Sequence, residues 1–221
     1  MNTAHDSTAL DATTLDSPWI QTFTGRRFYP LNPHAEDVCL EDIAHALSMK
    51  CRFTGHCKQF YSVAEHCVRM AHHAKFMPPM FRPLPMSVAA LLHDAAEAYL
   101  PDVAAPLKMW FYTFHGKYAL ANRSIYMSAF CEVESNLLRS IRHGLGYLFY
   151  PLKSFYGPEL NEMDRRMLAT EARDLMGDVE DWKLPYPPYE DRIETTMTPV
   201  EAKAAFLETA ATLGIKDGGA A

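Results

Sequence analysis

The sequence predicts an all-α protein with a small β-hairpin near its N-terminal end. Three observations carry that prediction. Strand-like residues gather in one stretch, Trp19–Pro33; apolar residues elsewhere recur at helical spacing; and two S/T-x-x-E capping boxes, Ser62–Glu65 and Thr198–Glu201, mark helix starts.

Residues 1–18 read as a loose, acidic tail, followed by one domain over 19–215 and a frayed end at 216–221. In the strand-like stretch, Thr22, Phe23 and Thr24 precede Gly25, and Phe28 and Tyr29 follow Arg26-Arg27, which predicts a hairpin. Leu40, Ile43, Ala44 and Leu47 predict an amphipathic helix over Glu36–Met49. A polar and aromatic connection, KCRFTGHCKQFY, leads to the helix that Ser62 caps, with Val63, Cys67, Met70, Ala71 and Ala74 inward. Prolines exclude a helix over Met77–Pro85. Val88, Leu91, Leu92, Ala95 and Tyr99 predict the next helix, from about Met86 to Leu100, with Pro101 as its stop. Lys117–His143 and Pro158–Met176 are read as two further helices, the second carrying Leu160, Met163, Met167, Leu168 and Leu175. The last helix starts at Thr198 with Pro199 in its first position, and Val200, Ala204, Leu207 and Ala211 are expected to face inward.

Composition narrows the function. The 221 residues are 48% hydrophobic and 22% charged, a globular balance, with a formal net charge of -6. That acidity disfavours a long nucleic-acid grip but allows a local pocket for one small anion. No apolar run is long enough for a bilayer, and the first residues lack the basic start and apolar centre of a signal peptide. Five irregularly spaced cysteines argue against a disulfide framework, so a cytoplasmic protein with reduced thiols is expected.

Four residues sit where a core helix should be apolar. His66 lies beside one inner face, the adjacent pair His93-Asp94 interrupts another, and Asp164 falls inside a third, four residues from Leu160 and from Leu168. Such groups need a metal ion or a tight polar network. Two imidazoles and two carboxylates suit a divalent transition metal. Taken singly, each is more often a hydrogen-bonded core residue. A thiol site built from Cys51, His56, Cys57, His66 and Cys67 lacks zinc-ligand spacing, and Cys67 fits the core stripe.

Three blocks in order, SVAEHCVRMA (Ser62–Ala71), LLHDAAEAYLPDVAAPLK (Leu91–Lys108) and NEMDRRMLATEARDLM (Asn161–Met176), resemble those of the HD-domain phosphohydrolases. The similarity is greatest to the 2′-deoxynucleotide branch, which holds bacterial 5′-deoxynucleotidases and phage dATP triphosphohydrolases, and it covers roughly residues 19 to 176. It implies an HD-type helical core in which His66, His93, Asp94 and Asp164 bind one divalent metal (Co, Zn, Mn or Mg). It also implies that Glu97 activates or positions water and that Asp102 holds water or a sugar hydroxyl. Arg52 and Lys108 would contact phosphate, and Phe53 would stack on sugar or base, leaving no room for a 2′-hydroxyl. As sequence alone, Glu97 reads equally as a surface acid, Asp102 as a turn residue and Lys108 as a surface charge. The implied reaction is hydrolysis of the 5′-phosphoester of a deoxynucleotide. A dNTP, dATP foremost, is favoured because TFTGRRFYPL, ALSMKCRFTGH and FYSVAEH resemble the phage-type enzymes. A dNMP phosphatase and a non-catalytic nucleotide sensor are the alternatives. His45 and His56 are expected to line a pocket, His72-His73 to be exposed, and His115 and His143 not to form a second metal site. The partner is a small deoxynucleotide rather than nucleic acid or membrane, and the family habit implies a homo-oligomer.

Overall fold

The computed structural model describes residues 18–75, 85–101, 103–104, 106–107, 125–147 and 157–217. Within them the protein is all-α with a small N-terminal hairpin. Strands β1 (Ile20–Gln21) and β2 (Arg27–Phe28) pair antiparallel, Ile20 opposite Phe28 and Gln21 opposite Arg27. Gly25 takes φ +84° in the connecting turn, a conformation a side chain would strain. The hairpin is tied down at two points. Thr24 donates from its amide and hydroxyl to the Asp42 carboxylate at 2.7 and 2.8 Å, and the buried Phe28 ring stacks on Tyr99 at 3.7 Å.

Helix α1 (Leu40–Met49) buries Leu40, Ile43, Ala44 and Leu47, as the periodicity predicts. It starts later than Glu36: Ala35–Asp37 form a 3-10 turn, and Val38 and Cys39 are extended. The sequence offers Cys39, a poor cap, at the helix start. The free amide of Leu40 is instead satisfied by the Asp217 carboxylate at 2.6 Å, from the far end of the chain.

Helix α2 (Val63–Ala74) is the centre of the molecule, with nine of its twelve residues buried. It packs against α1, α3 (Met86–Leu92), α5 (Pro158–Leu175) and α6 (Pro199–Thr212). Its capping box is half formed. Ser62 Oγ accepts from the Glu65 amide at 3.1 Å, but the Glu65 side chain turns to Arg69 and to the amide of Met197. A two-pronged arginine partner is a stronger draw for a carboxylate than one terminal amide.

The helix predicted over Met86–Leu100 is shorter than expected. α3 ends at Leu92, His93 and Asp94 form a turn, and Ala95–Ala98 tighten into a 3-10 helix. The polar pair breaks the regular ladder, and Lys50 Nζ then caps the exposed carbonyls of Glu97 and Leu100. Helix α4 (Ile125–Gly144) buries Leu137, Leu138 and Ile141; residues 117–124 of the predicted helix, and Met77–Leu84, lie outside the described residues. Gly144 lets α4 meet the 3-10 turn before α1. A Cβ there would sit 2.4 Å from the Ala35 carbonyl oxygen.

Helix α5 follows its predicted bounds to within a residue and buries Leu160, Met163, Met167 and Leu175. The start of α6 is also as predicted, with Thr198 and Glu201 in a complete capping box. Its inward face is not. Val200 is 79% exposed, Ala204 and Ala211 are also exposed, and Leu207 is half-buried. Ala202, Phe206, Thr209 and Ala210 face the core instead. Alanine on all sides makes this stripe weak, and the single Phe206, which has the most apolar area to bury, sets the rotation.

Candidate metal centre

The sequence reading singles out His66, His93, Asp94 and Asp164, and the fold brings all four together. α2 supplies His66 from inside the core, the turn after α3 supplies His93 and Asp94, and α5 supplies Asp164. His66 Nε2 lies 3.2 Å from His93 Nε2, and His93 Nε2 lies 3.2 Å from Asp94 Oδ2. His66 Nε2 is 3.8 Å from the same Asp94 oxygen. The ligand atoms of His66, His93 and Asp94 all fall within 4.8 Å of one another, a group that could hold a metal ion. Asp164 closes the rim. Its Oδ1 is 3.4 Å from His66 Nε2 and 4.0 Å from His93 Nε2, and its side chain is 42% exposed.

The other ring nitrogens decide what this geometry means. His93 Nδ1 is 2.8 Å from the Ala90 carbonyl oxygen, which can only accept, so His93 carries its proton there. His66 Nδ1 is 2.5 Å from the carboxylate of Glu171, a group burial would neutralise but Arg52 and His66 keep ionised, with a lowered pKa. His66 therefore also donates from Nδ1. In neutral rings both Nε2 atoms are then lone pairs, aimed at each other and at two carboxylates. This is the arrangement by which a carboxylate or carbonyl orients a metal-binding imidazole. Acceptors gathered this closely could hold a metal ion.

The titration behaviour has the same cause. Burial pulls His93 down, but the Asp94 carboxylate outweighs it and holds the ring well above the ordinary imidazole range. Burial and Arg52 lower His66, while Glu171 and Asp164 raise it, with a net upward shift. Burial raises Asp94 and Asp164, but the neighbouring imidazoles more than reverse it and both carboxyls are held below their usual value. Cys67 is fully buried in the apolar cluster and outside the metal-competent group, so the thiol reading gives way to core packing.

Glu171, completely buried, is the residue the sequence reading missed. It joins the imidazole to a cation: Arg52 donates to Glu171 Oε2 from Nε at 3.2 Å and lies 3.1 Å from it through Nη2. Arg52 Nη1 approaches Asp94 Oδ2 at 3.6 Å. The signal was present. Glu171 is seven residues, two helical turns, after Asp164 and four after Met167, on the face that α5 buries.

Phe53 stands beside Arg52, whose Cζ is 5.8 Å from its ring centre, and it leans toward Trp182 at 6.3 Å between centroids. Glu97 sits three residues after Asp94 in the 3-10 turn, half-buried. Asp102, Lys108 and His115 lie outside the described residues. His143 is exposed, and the described residues hold no second metal-competent group. His56 is exposed rather than pocket-lining, because its loop turns it outward. His45 does line a cavity of about 310 Å³, but between the hairpin and α1, with Phe23, Asp42 and Tyr99. His72 is exposed as expected; His73 instead stacks on Tyr189 at 3.9 Å. No helix among the described residues is long and apolar enough to cross a membrane.

These features define a helical protein with a buried, metal-competent histidine–aspartate cluster. No family model matches the chain. Over 157 residues it is 34% identical to the uncharacterized protein YfdR of Escherichia coli (strain K12), a match covering 71% of this chain and 72% of that protein. The chain belongs to the YfdR family. It is also 38% identical over 93 residues to an uncharacterized protein of Rhodobacter capsulatus, across 41% of this chain and 46% of that one.

Proposed function

We propose that the protein is a metal-dependent phosphohydrolase that cleaves the 5′-phosphoester of 2′-deoxynucleotides, with dATP and release of triphosphate as the favoured reaction. The observation that carries the reading is the pair of imidazoles whose Nδ1 protons are spent on Glu171 and Ala90, leaving two Nε2 lone pairs converging with Asp94. Nitrogen and oxygen donors of this kind suit a divalent transition ion. His66, His93 and Asp94 would hold it, with Asp164 from the rim. Such an ion, when bound, acidifies water and offsets phosphate charge.

The chain's own groups divide the rest of the work. Glu97, one 3-10 turn after Asp94, would take the proton of the attacking water. Asp102 would hold water or a sugar hydroxyl. Arg52 would meet phosphate with the guanidinium donors that Glu171 and Asp94 leave open, and Lys108 would add a point charge. Phe53 would stack on the sugar or base and disfavour a 2′-hydroxyl. The resemblance to HD-domain phosphohydrolases supports these assignments and a homo-oligomer, the irregular cysteine spacing supports a cytoplasmic setting, and the His66–His93–Asp94 geometry supports the metal.

Product identification tests the reading. Purified protein is incubated with each dNTP and dNMP in the presence of Mn²⁺, Co²⁺, Zn²⁺ or Mg²⁺, and the products are separated by chromatography. Triphosphate from dATP is expected. Orthophosphate from dNMPs alone would reassign the protein as a 5′-deoxynucleotidase. Absence of turnover with every nucleotide and metal would overturn the enzymatic reading in favour of a nucleotide sensor.

A further inference from the structure

The segment that carries Arg52 and Phe53 is bracketed by two thiols. Cys51 Sγ and Cys57 Sγ are 3.5 Å apart and both residues are half-buried, whereas Cys39 and Cys67 are buried. A disulfide bond is about 2.05 Å long, so the sulfurs need to close by roughly 1.5 Å. The base of the loop is fixed. Cys51 bridges to Ser62, the Arg52 amide donates to the Tyr61 carbonyl at 2.8 Å, and the Lys58 amide donates to that of Leu175 at 2.8 Å. Between these anchors the backbone is strained at two non-glycine residues, Phe53 and Thr54, both at φ +54°. Conformations of this kind persist where the surroundings over-determine them, and they cluster at switch and ligand-clamp segments.

We propose that Cys51 and Cys57 form a reversible disulfide that resets the Arg52–Phe53 loop, with a small-molecule disulfide as the oxidant. The Cys51 thiolate attacks one sulfur of that disulfide, forming a mixed disulfide and expelling one thiolate. Cys57 then loses its proton and attacks Cys51 Sγ, expelling the second. Two protein thiols are oxidised, one small disulfide is reduced to two thiols, and the protein's two protons pass to them. Burial and the hydrogen bond to Cys51 push the Cys57 thiol up, which disfavours Cys57 as the first thiol to attack. Cys57 Sγ also faces the Arg52 carbonyl at 3.8 Å, so its movement acts on the residue that holds Glu171 and Asp94.

The test uses the full-length native protein and oxidised glutathione, and needs no enzymatic activity. Free thiols are expected to fall from five to three, with a mass loss of two hydrogens, a Cys51–Cys57 cross-linked peptide, and full reversal by reductant. Amide exchange across residues 52–57 is expected to slow in the oxidised form. Cys57→Ser should trap Cys51 as the glutathione adduct, and Cys131→Ser should leave the cross-link unchanged. Two outcomes overturn the proposal: Cys51 and Cys57 stay free or are each capped without pairing, or the disulfide forms and loop exchange is unaltered.

Discussion

Two regions of this molecule bury charged side chains, and they do so in opposite ways. Around Glu65 and Asp174, every carboxylate oxygen has a donor. Glu65 Oε1 receives Arg69 Nε and Nη2 at 3.0 and 2.7 Å, and Oε2 receives the Met197 amide at 2.8 Å. Asp174 takes a two-pronged bond from Arg173, both prongs 2.7 Å, together with the Ile193 amide at 2.8 Å and Arg192 at 3.4 Å. The same arginines bond the carbonyls of Thr195, Tyr189 and Asp191, so the network straps the 189–197 segment across α2 and α5. Around His66 and His93 the balance is reversed: acceptors are in surplus, and the Nδ1 donors point away to Glu171 and Ala90. A saturated network is a fastener, whereas an acceptor-rich one could hold a metal ion. Burial of charge alone would not separate the two.

The largest expected effect breaks the acceptor-rich side. Asp94→Ala removes the carboxylate shared by both imidazoles and should abolish stoichiometric metal, read by elemental analysis after dialysis. Retained stoichiometric metal would remove Asp94 from the centre. Fold stability of the metal-free protein should change less than on loss of the fully buried Glu65, since the Asp94 side chain is 22% exposed.

Glu65→Ala attacks the saturated side and should do the reverse. Removing the buried carboxylate takes away the charged hydrogen bonds of Arg69, whose side chain is 27% exposed, and the partner of the Met197 amide, a loss of about 1.5–3 kcal/mol. Urea denaturation should show that loss, while metal content per folded molecule stays the same. A smaller effect is expected between the two regimes, at Glu171, which is buried and paired like a fastener but serves a ligand. Glu171→Gln keeps the shape and loses the charge that orients His66, so metal affinity should fall about 10–100-fold. Competition with a chromophoric chelator measures it; unchanged affinity would make Glu171 an Arg52 partner only.

The contrast between the regions was only half visible in the sequence. His66, His93, Asp94 and Asp164 stand out because each is polar at a position whose helical neighbours are apolar, and periodicity detects that mismatch. Glu171 is the same kind of mismatch but lies among Thr170, Ala172 and Arg173, where the α5 stripe carries little hydrophobic contrast. The break at His93-Asp94 is hidden because the local pattern continues through Ala95, Ala96 and Tyr99, and the Lys50 contacts to the Glu97 and Leu100 carbonyls come from outside the segment. The α6 face was misjudged for a related reason: with alanine on every side, one phenylalanine decides. The strap over 189–197 has no periodicity at all. Its partners lie far away in sequence, so only the fold reveals that Glu65 and Asp174 belong to it.

The smallest expected effect tests whether the fastener is electrostatic. Burial alone would raise the Asp174 carboxyl, but the bonds from Arg173 and the Ile193 amide outweigh it and hold the group below the ordinary carboxylate value of 3.8. A folded-state pKa below the unfolded one means that the native state binds its proton less readily. The stabilisation is therefore complete above the unfolded pKa of about 3.9 and is lost as pH falls through the lower folded value. Asp174→Asn should cost about 1–2 kcal/mol at neutral pH, the low side of a charged hydrogen bond because Arg192 is exposed and screened. Below about pH 4 the gap between the two proteins should begin to narrow. Urea midpoints across the range from pH 7 to pH 3 provide the comparison, and a constant gap between wild type and variant would show that Asp174 acts through shape rather than charge.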